Sequence, residues 1–173
     1  FGGAPTVAET YEFDGTNWTE TNDMNTGRND MAACGTQTAG LGFGGYTTAP
    51  NTQGQALTEE YDGSSWTVGG TLNTSRYGAA GAGTQTAGLA FGGYVPPSYA
   101  FANSTIEYDG EGWTAGGNLT NARYGLGGFG SQTNAIAFGG TTPPNSNSNS
   151  TENYDGTSWA SISNMATSRT GFS

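Results

Sequence analysis

Four tryptophans, Trp18, Trp66, Trp113 and Trp159, follow one another at intervals of 48, 47 and 46 residues, and this period constrains the chain more than any other feature. A period of about 20 to 50 residues marks stacked or radially repeated units, in which each copy buries its apolar face only against its neighbours. Five residues before each tryptophan stands an aromatic followed by Asp-Gly: Phe13-Asp14-Gly15, Tyr61-Asp62-Gly63, Tyr108-Asp109-Gly110 and Tyr154-Asp155-Gly156. Ten residues after each stands an arginine, and Arg28, Arg76, Arg123 and Arg169 are all the basic residues of the chain. Phe-Gly-Gly follows the first three arginines by 15 residues, at Phe43, Phe91 and Phe138, and a further copy, Phe1-Gly2-Gly3, opens the sequence.

From each aromatic-Asp-Gly to the next Phe-Gly-Gly the spacing is constant, whereas from Phe-Gly-Gly to the following aromatic-Asp-Gly it is 12, 18, 17 and 16 residues. A stretch that keeps its register in every copy is expected to be ladder-paired, and the stretch that varies to be a surface loop where specificity lives. Turn chemistry supplies the strands. Thr58–Tyr61 and Trp66–Val68 flank Asp62-Gly63 and read as strand, tight turn, strand. A second pair is expected over Arg76–Ala82 and Thr86–Phe91, joined around Gly83-Thr84-Gln85, while Pro143–Thr151 reads as a low-complexity loop. A helical period of 3.6 is sustained nowhere. About four short strands per unit make the blade of a β-propeller, and the small residues after each arginine suit a crowded hub.

Glycine at 31 of 173 residues, with 33% hydrophobic residues, would point to disorder in a chain without order in its aromatics. Here the aromatics recur at fixed positions and must carry much of the burial. The formal charge of −10, with no lysine, excludes a nucleic-acid backbone as partner and disfavours anionic membrane surfaces. No stretch approaches the ~20 apolar residues of a membrane span. The single cysteine, Cys34, excludes an internal disulfide and reads as a small buried apolar residue.

Together the motifs resemble kelch-type repeats, whose blades carry a Gly-Gly doublet after the second strand, an aromatic-Asp before the last hairpin, a Trp on the fourth strand and an Arg opening the next blade; here Phe91-Gly92-Gly93, Tyr108-Asp109, Trp113 and Arg123 stand at those places. The resemblance implies an all-β, kelch-like propeller of four-stranded antiparallel blades, about 3.5 to 4 repeats in this chain. The expected units are 1–27 (partial), 28–75, 76–122 and 123–168, with 169–173 starting a further blade. The near identity of GTQTAGLGFGG, GTQTAGLAFGG and GSQTNAIAFGG resembles the tandem repeats of marine phage and bacterial surface proteins. Since propellers of this repeat commonly have about six or seven blades, the expectation is that this is a segment of a longer chain or that several chains close one ring.

Catalysis has little to stand on. Without histidine there is no Ser-His-Asp triad and no copper site of the galactose-oxidase kind. A carboxylate pair for glycoside hydrolysis is disfavoured, because Glu12, Glu60 and Glu107 and the four motif aspartates are placed by the repeat. No catalytic residue, metal or cofactor is expected. Asp14, Asp62, Asp109 and Asp155 are expected to set turns, and Arg28, Arg76, Arg123 and Arg169 to clip blades by pairing with carboxylates or carbonyls rather than to ring an anion site. Trp18, Trp66, Trp113 and Trp159 are structural. Tyr46, Tyr94, Tyr99 and Phe101, exposed among Asn, Gln, Ser and Thr in the variable loops, are the candidate ligand-binding residues, with the composition of an adaptable binding surface. The reading is a non-enzymatic binding or adhesion module on a virion or cell surface, tail-fibre- or adhesin-like, with a host glycan or protein as partner. Two alternatives stand beside it: a structural propeller that assembles as a homo-oligomer into a larger appendage, and an intracellular kelch adaptor for protein partners.

Overall fold

The computed structural model describes residues 1–3, 5–48, 54–98 and 100–172, and among them there is no helix. A two-stranded sheet of β1 (Thr10–Phe13) and β2 (Trp18–Thr21) comes first. Sheet I follows, with β3 (Ala32–Thr36), β4 (Ala39–Phe43), β5 (Thr58–Tyr61) and β6 (Trp66–Val68) antiparallel in chain order. Sheet II has β7 (Ala80–Thr84) and β8 (Ala87–Phe91), then a small hairpin of β9 (Tyr94–Val95) and β10 (Ala100–Phe101), then β11 (Thr105–Tyr108) and β12 (Trp113–Ala115). Sheet III repeats this plan with β13 (Gly127–Ser131), β14 (Asn134–Phe138), the hairpin β15 (Thr141–Thr142) and β16 (Ser146–Asn147), β17 (Thr151–Tyr154) and β18 (Trp159–Ile162).

Two expectations need correction. The first strand of sheet II begins at Ala80, not at Arg76, because Gly78 takes φ 61° and breaks the extended run, leaving Tyr77 to form an isolated bridge with Tyr94. Its turn is Gln85-Thr86, closed by the Thr84 and Ala87 pair. The stretch from Pro143 is likewise not all loop, since Ser146–Asn147 pairs back on Thr141–Thr142.

The aromatic-Asp-Gly turn is a four-residue loop built on the aspartate. Asp62 Oδ1 accepts the backbone N–H groups of Ser64 at 2.8 Å and Ser65 at 2.7 Å, and Asp14, Asp109 and Asp155 do the same in their copies. These bonds favour the charged form and hold all four carboxyls below the usual range. The loop sets the register in which Tyr61 faces Trp66, Tyr108 faces Trp113 and Tyr154 faces Trp159.

The first strands of neighbouring sheets pack directly on one another, β3 on β7 and β7 on β13. A Cβ added at Gly81 would sit 2.5 Å from the Ala33 carbonyl oxygen, so only glycine allows the approach. Farther out, each sheet is bonded to the one before it. Trp66, Trp113 and Trp159 donate Nε1–H to Thr10, Thr58 and Thr105 Oγ1, each at 2.9 Å. Gln85 Nε2 reaches the Gly40 and Tyr61 carbonyls, and Gln132 Nε2 reaches those of Gly88 and Tyr108. Trp18, on β2, makes no such bond to another sheet among the described residues and is 69% exposed, against 6%, 5% and 8% for Trp66, Trp113 and Trp159. The phenylalanines of the first three Phe-Gly-Gly copies pack on the tryptophan of the following sheet, with ring centroids 4.7 Å apart for Phe1 and Trp66, 5.0 Å for Phe43 and Trp113, and 4.8 Å for Phe91 and Trp159, while Phe138 packs on Phe172 at 4.8 Å. Cys34 is only half-buried, with its thiol pushed up to about 12 by desolvation.

Tyrosine hydroxyls add a third link between sheets. Tyr61 donates to Glu12 at 2.7 Å, Tyr108 to Glu60 at 2.5 Å and Tyr154 to Glu107 at 2.6 Å. Burial first, then the bond to the carboxylate, pushes Tyr108 and Tyr154 up to about 12. In the unfolded chain a phenol ionises near about 10, so between these values the folded state holds protons that the unfolded state releases. Stability from these two groups is therefore present below about pH 10 and lost as pH rises toward 12. Arg76 acts in the opposite sense, since burial pushes its guanidinium down to about 10, and burial lowers Arg28 and Arg123 as well, while Cys34, pushed up to about 12, and Tyr61 add to the fall. The urea midpoint is expected to fall between pH 9.5 and 11.5 (roughly the window set by those values), and Tyr108→Phe with Tyr154→Phe should flatten that fall.

The arginines do not clip one sheet to the next, as the sequence suggested: the side chains of Arg28, Arg76 and Arg123 lie buried and bond only within their own unit, where each ties the loop after the second strand to the third strand. Arg28 Nη2 pairs with Glu59 Oε1 at 2.8 Å while Nη1 donates to the Gly44 and Leu57 carbonyls. Arg123 repeats this with Glu152 at 2.6 Å and the carbonyls of Gly139 and Ser150. Arg76 reaches the carbonyls of Gly92 and Ser104, but Ile106 stands where the other sheets have glutamate, and only the Ser104 hydroxyl, at 3.2 Å, accepts from its Nη2. Arg169 differs from all three: it is exposed and bonds Thr167. Because Arg76 is already desolvated and the backbone there is equivalent, Ile106→Glu is expected to be tolerated to within ~1 kcal/mol. The same glutamate beside Arg76→Met should cost ~3–5 kcal/mol, as expected for a buried charge without its partner. A double-mutant cycle read by urea unfolding checks the coupling.

Candidate functional site

The hub is built from the residues just after each arginine: Asn29-Asp30, Tyr77-Gly78, Tyr124-Gly125 and Thr170-Gly171. The second residue of each pair takes a left-handed conformation, with φ 48° at Asp30, 61° at Gly78, 60° at Gly125 and 73° at Gly171. These residues form a stair of backbone bonds around the hub, from Gly78 N to Asp30 O (2.8 Å), Gly125 N to Gly78 O (2.9 Å) and Gly171 N to Gly125 O (3.0 Å). In the first three pairs the first residue bridges to the residue that follows Phe-Gly-Gly: Asn29 to Tyr46, Tyr77 to Tyr94 and Tyr124 to Thr141.

That bridging gathers side chains that lie far apart in the sequence. Tyr46, Tyr77, Tyr94 and Tyr124 form a continuous arc, with successive ring centroids 5.6, 5.3 and 4.3 Å apart. Phe101, from β10, closes on Tyr94 at 4.8 Å and stacks along Tyr124 at 6.3 Å. Three of the four sequence candidates, Tyr46, Tyr94 and Phe101, thus belong to one cluster. They are half-buried against each other, where the sequence suggested freely exposed rings. Tyr99 lies outside the described residues. Tyr77 and Tyr124 were missed as site residues, although Arg-Tyr-Gly recurs at 76–78 and 123–125 and carried the signal.

Two concavities adjoin the arc. One, of about 440 Å³, is a groove between the variable loops of sheets II and III, lined by Tyr94, Ala100, Phe101, Pro143, Pro144 and Asn145. The other, of about 470 Å³, opens at the hub, with Asn29, Asp30, Gly78, Tyr124, Gly125 and Phe172 among its walls. Tyr124 belongs to both the arc and the hub wall. Its phenol is raised, by burial first and then by the negative charge of Asp30. The arginines take no part in either concavity: Arg28, Arg76 and Arg123 are buried with their Nη groups engaged. Among the described residues no group of three or more Cys, Asp or Glu side chains is gathered as a metal would need. Chemically, the arrangement offers aromatic faces with phenol hydroxyls at their edges, beside a cavity whose polar side chains are mostly acceptors.

No protein-family model matches the chain, and no curated protein matches it. Among solved structures it is similar to one described as the structure of YjhT, with a TM-score of 0.79 at 11% sequence identity. The match covers 95% of this chain and 62% of that one. At such identity the likeness is one of fold. With the blade-like four-stranded sheets, it is compatible with a propeller-like arrangement.

Proposed function

We propose that the chain is a run of kelch-like propeller blades that serves as a non-enzymatic binding module on a virion or cell surface, taking a glycan of a host across the tyrosine arc. The arc carries this reading: five aromatic rings from three successive repeats, Tyr46, Tyr77, Tyr94, Phe101 and Tyr124, packed ring against ring, mostly tilted, beside two concavities. Rings already held by one another lose little freedom on binding and offer apolar faces to sugar C–H groups, with hydroxyls at the rim for hydrogen bonds. The arc also draws on the loops whose length varies between copies, where affinity can change without disturbing the sheets.

A glycan array probed with the intact chain and with Tyr94→Ala tests it. Tyr94 sits mid-arc, and its loss is expected to weaken any bound glycan at least tenfold, about 1.4 kcal/mol, while the near-ultraviolet spectrum of the buried tryptophans is kept. An array that stays silent, with light scattering showing concentration-dependent association, would overturn the glycan reading in favour of an assembly module.

A further inference from the structure

We propose that the hub cavity is the seat of an ammonium group, so that the sugar taken by the arc is an amino sugar with its amine free; the sugar half of this statement rests on the reading of the arc above. Four observations converge on Asp30. It takes a left-handed φ of 48° at a position where the three equivalent residues, Gly78, Gly125 and Gly171, are glycine. A carboxylate held against backbone preference is where function is to be sought. Among the described residues its exposed side chain has neither an ion pair nor a hydrogen bond, and it is the only charged side chain lining the cavity. Beside it, Asn29 Oδ1 is covered and has no hydrogen-bond donor, a deficit that an incoming N–H group reached by a turn of that side chain would relieve.

The rest of the wall suits the same guest. Tyr124 and Phe172 present rings to the cavity, and an ammonium gains from aromatic faces as well as from a carboxylate. No arginine lines the cavity: Arg28, Arg76 and Arg123 are buried within the sheets, and the exposed Arg169 bonds Thr167. The overall charge of −10 draws cations toward the protein. The space of about 470 Å³ admits a small organic ammonium, and Tyr124 links it to the arc, where a sugar ring would lie.

The test is an amide-resolved NMR titration of the intact chain and of Asp30→Gly with three probes: glucosamine, N-acetylglucosamine and ethanolamine. Asp30→Gly supplies the residue of the other three copies and should fold at least as well. Glucosamine and ethanolamine are expected to shift the amides of Gly78 and Gly125 in the native chain and to lose at least tenfold in affinity for Asp30→Gly. N-acetylglucosamine, whose nitrogen is uncharged, is expected to shift only signals of the arc around Tyr94. Absence of hub shifts with both amines, or equal shifts in Asp30→Gly, would overturn the ammonium seat whatever the arc does. Hub shifts with ethanolamine while both sugars leave Tyr94 unmoved would sustain the seat and overturn the arc as a sugar platform.

Discussion

Glu59→Ala is expected to destabilise the fold by about 3–5 kcal/mol, the cost of leaving a fully buried charge without its partner. Arg28 has no exposed side-chain surface, and burial already pulls its guanidinium below the usual range, with Glu59 opposing that pull. The carboxylate also binds the linker from the first hairpin, since its Oε2 accepts from the Asn25 backbone N–H at 2.7 Å and from Asn25 Nδ2 at 2.9 Å. Removing it frees two elements at once. The equivalent change in sheet III, Glu152→Ala, should cost less, roughly 1–3 kcal/mol, for a reason visible in sheet II. There Ser104 accepts from Arg76 in the absence of a glutamate; the counterpart of Ser104 is Ser150 in sheet III but Leu57 in sheet I. Leu57→Ser should therefore recover part of the loss in Glu59→Ala. Urea unfolding of the two single variants and the double variant measures this order, and equal, small losses at both glutamates would reject it.

Phe91→Ala is the second change with a large expected effect, about 3–5 kcal/mol for a large aromatic removed from a packed core. Phe91 has no exposed surface, packs on Trp159 and lies over the inner strand of sheet III, where a Cβ on Gly128 would come within 2.4 Å of its ring. The ring and the glycine are thus one packing unit, with the missing side chain of one making room for the other. Gly128→Val alone should cost about 1–3 kcal/mol by overpacking. In the Phe91→Ala background its methyl groups enter the vacated space and should restore part of the stability. Thermal unfolding of the four proteins gives the coupling, and strict additivity would show that the two positions do not share a cavity.

Much of this arrangement was legible from the period. The constant interval between aromatic-Asp-Gly and Phe-Gly-Gly spans the fourth strand of one sheet, a linker of fixed length and the first two strands of the next, and the strands Thr58–Tyr61 and Trp66–Val68 lie where their turn placed them. The structural use of the motif aspartates was legible for the same reason: a residue repeated in every copy serves what every copy needs. The repeat marked Arg28, Arg76 and Arg123 as structural too, but not that their side chains bond within their own unit instead of across to the next. The start of β7 was not legible, because Gly78 breaks the strand only when the hub stair pulls it into a left-handed turn.

The candidate site divides in the same way. Tyr46, Tyr94 and Phe101 stood out by composition, as aromatics in variable loops. Their meeting with Tyr77 and Tyr124 depends on bridges between residues 17 positions apart and on packing between successive sheets, which no local pattern encodes. The significance of Asp30 is likewise tertiary: in the sequence it is one acid among fourteen, two residues after its arginine where the other copies have glycine, and only the structure shows that it lines a cavity with its side chain unpaired among the described residues. The sequence by itself determined the repeat, the strand pairings within each unit and the turns set by the motif aspartates, because those depend on spacings of a few residues or on identical spacings in each copy. The tertiary structure alone decided which copy-specific residues converge, since convergence is set by how neighbouring sheets stack around the hub and not by distance along the chain.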